Sequence, residues 1–293
     1  MGRTRAATAR RNVDLPPRRG AGGRLAVCGL LCLALLCPSG GAVAAEPEEV
    51  AVPAGGLTLR GFIFKPAGEG PFPAVLYNHG SERLPGAKPA IGAFFSGKGY
   101  VLFVPHRRGQ GRSQSQGPYI MDELRAVSGP FRDAKLVELQ EAQQADVRAA
   151  LSYLRRLPYV DGSRIAVAGC SFGGIQTLLA AEQDLGLRAA VAFAPAAMTW
   201  AGSPSLRARL IESVRKATVP VLFVQALNDY DLDPTRVLAA EMDRAGKPHK
   251  SALLPAFGRT PREGHGEFCN SGVEAGGAEV LSFLEATMKK APG

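Results

Sequence analysis

From residue 48 onward, short runs of consecutive apolar residues alternate with segments whose apolar positions recur three or four apart. The first pattern reads as strands buried on both faces, the second as amphipathic helices. Residues 49–53 and 57–65 surround Ala54-Gly55-Gly56 and predict a β-hairpin. A Gly- and Pro-rich loop follows over 66–73. Strands are then expected at 74–77, 100–104, 164–169, 187–193, 219–227 and 250–254, with helices at 91–98, 136–154, 175–183, 235–244 and 274–289. In the 136–154 segment Leu136, Leu139, Val147, Leu151 and Leu154 carry the helical spacing, and in the last segment Val280, Leu281, Leu284 and Met288 do so. Residues 114–134 show no clear period and read as a surface excursion, and 194–218 as a connection with one short helix at most.

Strands alternating with helices imply a mostly parallel sheet of about eight strands with helices on both faces. In such sheets ligands gather beyond the carboxyl ends of the strands. The most polar and glycine-rich stretches, 78–81, 106–113, 169–174 and 228–233, all follow strands and are expected to share that edge.

The N-terminus changes how the charge is read. Residues 1–24 hold seven arginines and one aspartate, residues 25–37 are apolar apart from Gly29, and Ala42-Val43-Ala44 supplies small residues. This is the layout of a secretory signal peptide over 1–44 with cleavage near Ala44, so a periplasmic or secreted location is expected. Removing this segment lowers the formal net charge from +9 to +3. The basic balance is therefore an export feature, and no nucleic-acid partner is implied. No membrane association is expected after cleavage. Only Cys170 and Cys269 remain, enough for one disulfide. Residues 45–293 fit a single α/β domain.

The chemistry centres on Gly169-Cys170-Ser171-Phe172-Gly173, which follows an apolar strand and precedes a helix. In that context Gly-x-Ser-x-Gly is a nucleophile elbow, with Ser171 exposed at the top of the sheet. A serine needs a base, and the base an acid. Of the four histidines, His79 and His106 precede the nucleophile and His249 leads into a strand at the far edge. His265, in a loop between the last strand and the final helix, is the base in the order Ser, acid, His. Asp229 directly follows a strand and is the first choice for the acid; Asp231 and Asp233 remain alternatives, with Asp233 before Pro234 also suited to an N-cap. The oxyanion donors are the backbone N–H of Phe172 and, from the His79-Gly80-Ser81 loop, that of Ser81, with Gly80 or Glu82 as alternatives. No metal-ligand spacing, dinucleotide fingerprint or phosphate loop is present, so no cofactor is expected.

Five stretches together, Asn78-His79-Gly80, Arg108-Gly109-Gln110-Gly111-Arg112-Ser113, Gly169 to Gly174, Asn228-Asp229 and Gly264-His265-Gly266, resemble the α/β-hydrolase superfamily. The nearest likeness is to its dienelactone-hydrolase-like and prolyl-oligopeptidase-like branch. The resemblance covers the chain from about Leu57 to Lys289 and implies the α/β-hydrolase fold without a large lid domain. Dienelactone hydrolases proper use cysteine as nucleophile, whereas this chain has Ser171. The resemblance therefore implies a serine esterase acting on short-chain esters or lactones. Two alternatives remain. One is a serine peptidase, although such enzymes carry an N-terminal propeller and only the signal segment precedes this domain. The other is an inactive binding module on the same fold. Segments 114–134 and 196–216 are expected to shape an open cleft suited to short acyl chains.

Overall fold

The computed structural model describes residues 46–289. The signal segment expected over 1–44 lies outside them. β1 (Glu48–Ala54) and β2 (Leu57–Phe64) form the expected hairpin, with Ala54 opposite Leu57 and a turn at Gly55 and Gly56, both at positive φ. Next come β3 (Phe72–Asn78), α1 (Pro89–Gly97) and β4 (Val101–His106). The short α2 (Ile120–Arg125) and the 14-residue α3 (Gly129–Ala142) follow, then α4 (Gln144–Arg155) and β5 (Val160–Cys170). The second half runs α5 (Phe172–Ala181), β6 (Ala189–Phe193), α6 (Pro204–Arg215), β7 (Val221–Ala226), α7 (Asp233–Arg244) and β8 (His249–Leu254). It closes with α8 (Phe268–Ser271) and α9 (Gly277–Thr287).

The eight strands form one sheet in the order β1-β2-β4-β3-β5-β6-β7-β8. Only β2 runs antiparallel to its neighbours; from β4 to β8 every pairing is parallel. Alternate side chains point to opposite faces of a strand, and two apolar layers result. Val75 and Tyr77 of β3 pack with Ile91 and Phe95 of α1 and with Val280 and Leu284 of α9. Ala74 and Leu76 face the other way, toward Val147 and Leu151 of α4 and Ile175 and Leu178 of α5, the layer that α6 and α7 also join.

Three expectations need correction. The stretch 114–134 is helical in large part, carrying a 3-10 turn at Gly111–Gln116, α2 and the start of α3. Its period is hidden because α2 is short and the inward face of α3 holds Asp133 and Gln140 beside Leu136. The helix expected over 136–154 is broken at Gln143 (φ −71°, ψ −11°). Consecutive residues of a regular helix face about 100° apart, and the break lets Gln143 and Gln144 both be buried. The connection 194–218 holds the 12-residue α6, longer than expected.

The tightest packing lies where β5 turns into α5 beside β3. A Cβ on Gly173 would lie 1.9 Å from the Asn78 carbonyl oxygen, and one on Gly169 would lie 2.4 Å from the Gly173 carbonyl oxygen. Both obstacles are backbone, which cannot swing aside. Gly173→Ala is therefore expected to destabilise the protein by at least about 3 kcal/mol, the upper end for overpacking. Urea unfolding checks this against Gly97→Ala, where an added methyl meets nothing within 4 Å; equal stability of the two variants would contradict the packing argument.

Candidate active site

Ser171 stands between β5 and α5 with φ 59° and ψ −120°, a conformation that costs a non-glycine residue about 1–3 kcal/mol. Its N–H donates to the Phe193 carbonyl at 3.1 Å, and its own carbonyl accepts from the Ile175 N–H at 3.1 Å. The chain thus leaves the sheet and enters the helix within one residue. The hydroxyl is left standing at the carboxyl edge of the sheet.

His265 reaches this hydroxyl from a π-helical turn, Glu263–Glu267, where a loop was expected. Its Nε2 lies 3.0 Å from Ser171 Oγ and its Nδ1 lies 2.9 Å from Asp229 Oδ1. A carboxylate only accepts, so the ring proton sits on Nδ1 and the Nε2 lone pair faces the serine hydroxyl. The Asp229 carboxylate is itself held: the Tyr230 N–H donates to Oδ1 at 2.6 Å and Gln225 Nε2 donates to Oδ2 at 2.8 Å. Asp229 and His265 are both buried.

The alternative acids are occupied elsewhere. Asp231 Oδ1 accepts from the Asp233 N–H at 2.9 Å, next to the start of α7. Asp233 is the first residue of α7 and makes no side-chain cap, contrary to the N-cap reading. The remaining histidines also lie apart from Ser171: His249 begins β8, and His79 and His106 are buried behind the loop after β3.

Two further side chains hold the histidine side of the site: Gln225, which the sequence reading did not single out, and Asn228, which it placed only in the Asn228-Asp229 stretch with no role of its own. Gln225 is a polar residue inside the apolar β7 run, and that interruption is its signal. Asn228 donates through Nδ2 to the carbonyls of Phe257 and Thr260 and accepts from the Phe257 N–H, pinning the segment that leads to His265. A Cβ on Gly264 would lie 2.6 Å from the Asn228 side chain, so the two residues interlock.

The two residues expected to supply the oxyanion donors line one cavity with the nucleophile. Phe172 opens α5, and the first N–H groups of a helix have no partner within it. Ser81, Ser171 and Phe172 line one cavity of about 280 Å³ with Met121, Leu124, Leu136 and Met198 among its apolar walls. Met121, Leu124 and Met198 fall in the two regions expected to shape the pocket, 114–134 and 196–216, whereas Leu136 of α3 lies just beyond the first. Glu82, an alternative donor, has its carboxylate bound to Lys88 Nζ at 2.9 Å. Burial opposes its ionisation, but the Lys88 ammonium outweighs this and holds the carboxyl below its ordinary range. His79 is kept uncharged by burial and by the adjacent Arg107, which push it well below the ordinary histidine value.

Cys170 and Cys269 form a disulfide between the end of β5 and α8. The two cysteines that the sequence left for one disulfide are thus paired, with Cys170 buried at the end of β5. The bond ties the residue before Ser171 to the helix that follows His265. Among the described residues no cluster of three or more His, Cys, Asp or Glu is placed to hold a metal ion. Nor is any described helix long and apolar enough to cross a membrane.

The bridge joins positions 99 residues apart in sequence, and closing so long a loop stabilises a fold by about 2–4 kcal/mol. Reduction, or the paired change Cys170→Ala with Cys269→Ala, is expected to lower stability by that amount. Thermal unfolding with and without reductant measures it. An unchanged Tm would mean that neighbouring packing alone holds the two loops.

Comparison with known proteins fits this geometry. The model of the Dienelactone hydrolase family matches residues 59–263. The polyketide transferase grgF of Penicillium sp is 30% identical over 159 residues, covering 54% of this chain and 47% of that protein. The quorum-quenching protein AidA of Acinetobacter baumannii (strain MDR-ZJ06) is 26% identical over 153 residues, 51% of this chain and 44% of that one. The chain thus spans about half the length of the curated relatives it matches. Among solved structures, the Pyrococcus horikoshii acylaminoacyl peptidase superposes with a TM-score of 0.63 at 19% identity, covering 85% of this chain and 43% of that one. That likeness concerns the fold alone. With an eight-stranded, mostly parallel sheet covered by helices and a family match across most of its described length, the chain belongs to the dienelactone hydrolase family, within the α/β-hydrolase superfamily.

Proposed function

We propose that this protein is a serine hydrolase that cleaves small carboxylic esters or lactones through an acyl-enzyme. The observation that carries the reading is the continuous hydrogen-bonded series Ser171 Oγ, His265, Asp229 opening onto a small cavity. In this reading His265 Nε2 takes the Ser171 proton as Oγ bonds to the substrate carbonyl carbon. The carbonyl oxygen gains the negative charge and is stabilised by the N–H groups of Phe172 and Ser81. Asp229 keeps the imidazole in the Nδ1–H tautomer and stabilises the imidazolium that forms. Collapse breaks the carbon–oxygen bond to the alcohol, which leaves with the proton from Nε2. Water, deprotonated by His265, then attacks the acyl-enzyme and releases the acid, returning the proton to Ser171.

The cavity of about 280 Å³ lies near the small end of ligand pockets, roughly 300–1,000 Å³, and favours short acyl groups. Its walls combine the apolar Met121, Leu124, Leu136 and Met198 with the polar Arg132, Asp133, Thr199 and Ser203. The relative called a polyketide transferase is compatible with the same acyl-enzyme, since transfer and hydrolysis differ in the second nucleophile. The disulfide supports the periplasmic or secreted location read from the N-terminal segment.

A chain-length series of p-nitrophenyl esters, run beside lactones and peptide anilides, tests the reading. Short esters are expected to give the highest kcat/KM, and Ser171→Ala to abolish turnover in a folded protein. Preferential cleavage of the anilides would identify a peptidase, and activity retained by Ser171→Ala would exclude the serine mechanism. Asp229→Asn is expected to lower kcat by about 10⁴, as loss of the orienting carboxylate does in the chymotrypsin triad. Asp231→Asn should leave kcat within a small factor of the parent, because its carboxylate serves the turn before α7.

A further inference from the structure

Arg107, the residue after β4, is only 1% exposed and the largest fully buried side chain among the described residues. The two acids whose charges it senses, Glu82 and Asp146, are each bound to another cation. Glu82 pairs with Lys88 at 2.9 Å and Asp146 with Arg108 at 2.5 Å. Arg107 is left with neutral acceptors. Its Nε donates to Gln143 Oε1 at 2.8 Å, its Nη2 donates to the Gly80 carbonyl at 2.8 Å, and its Nη1 is buried without a partner. Burial pushes its pKa down to about 10. A buried cation without its own carboxylate opposes folding, so stability does not account for it.

Its target is the peptide that carries the expected oxyanion donor. The Gly80 carbonyl also accepts from His79 Nδ1 at 3.0 Å and lies 3.4 Å from Gln110 Nε2. The proton on Nδ1 follows from the other ring nitrogen, since Nε2 accepts the Arg107 N–H at 3.3 Å. In a trans peptide the carbonyl and the next N–H point to opposite sides. Holding the Gly80 carbonyl inward therefore turns the Ser81 N–H outward, toward the cavity that Ser81 shares with Ser171. A cation at the carbonyl end also polarises the peptide and strengthens its N–H as a donor.

We propose that Arg107, anchored by Gln143, is the positioning residue of the oxyanion site, aiming the Ser81 N–H through the Gly80 carbonyl. The role rests on the ester-hydrolase reading. It predicts a loss confined to the transition state, where the oxyanion exists, and little change in binding of the ground-state ester.

The experiment compares the full-length mature chain with Arg107→Met and Arg107→Lys. For each it measures Tm, kcat and KM on a short p-nitrophenyl ester, inhibition by a trifluoromethyl ketone, and the labelling rate of Ser171 by a fluorophosphonate. Arg107→Met is expected to keep its Tm and KM, to lose about 10²-fold in kcat, and to bind the ketone more weakly in proportion. Arg107→Lys, which keeps the charge and one donor, is expected to recover part of that loss. A folded Arg107→Met with parental kcat and ketone affinity would overturn the role. So would a loss in both variants that tracks Tm alone. Should Arg107→Met fail to fold, Gln143→Leu, which removes only the anchor, must show a smaller loss of the same kind; parental kinetics there would overturn it too. A parent chain that neither labels at Ser171 nor hydrolyses esters would overturn the hydrolase reading, and the positioning role with it. Normal parent labelling with unaffected variants would overturn the positioning role alone.

Discussion

The contact between the backbone of α5 and the end of β3 is the constraint on which the rest of the site depends. Gly173 lies against the Asn78 carbonyl so closely that no side chain fits between them. That approach brings the elbow and the loop after β3 to the same place. Ser171 is thereby held at a positive φ that it would not adopt alone. The same contact sets the distance between the two peptide N–H groups of the proposed oxyanion site, because Phe172 follows the elbow and Ser81 follows Asn78 by three residues. Strain at one residue is tolerated because three parallel strands, a helix and a disulfide surround it.

Behind this edge lies a layer of buried amides that is unusual beside such apolar strands. Gln144 Nε2 donates to Gln176 Oε1 at 2.7 Å, and Gln176 Nε2 donates to Gln140 Oε1 at 2.6 Å. Gln143, between them in the chain, accepts from Arg107. A polar network of this kind, in which only Gln140 Nε2 among the three linked amides is buried without a partner, favours one arrangement of α3, α4 and α5, since slippage would break the Gln144–Gln176–Gln140 series. The break in the helix at Gln143 is what allows neighbouring glutamines to serve two different partners. The histidine side of the site is fixed by a parallel device, in which Gln225 holds Asp229 and Asn228 holds the segment before His265.

Much of this protein was legible in its sequence. The alternation of apolar runs and helical spacings identified all eight strands and most of the helices, because burial on both faces of a parallel sheet leaves a nearly continuous apolar signature. Gly-x-Ser-x-Gly after a strand, an aspartate after a later strand and a histidine before the last helix named Ser171, Asp229 and His265, and the fold brings these three into one hydrogen-bonded series. Chain order sufficed there because each residue follows a strand at the same edge.

Tertiary structure alone decided the rest. Proximity to the strand end put Asp229 ahead of Asp231 and Asp233 but left all three open; the choice is made by which carboxylate meets an imidazole 36 residues away. The pairing of Cys170 with Cys269 needed the position of α8, and the helices of 114–134 were masked by polar residues that face inward only because partners await them there. Arg107 shows the limit most plainly. In sequence it is one of two adjacent arginines in a glycine-rich loop, and Arg108 takes the ion pair with Asp146 while Arg107 goes inward to two neutral oxygens. Residue type and spacing carry the local preferences, whereas burial and partner are properties of distant segments brought together, and only the folded chain supplies them.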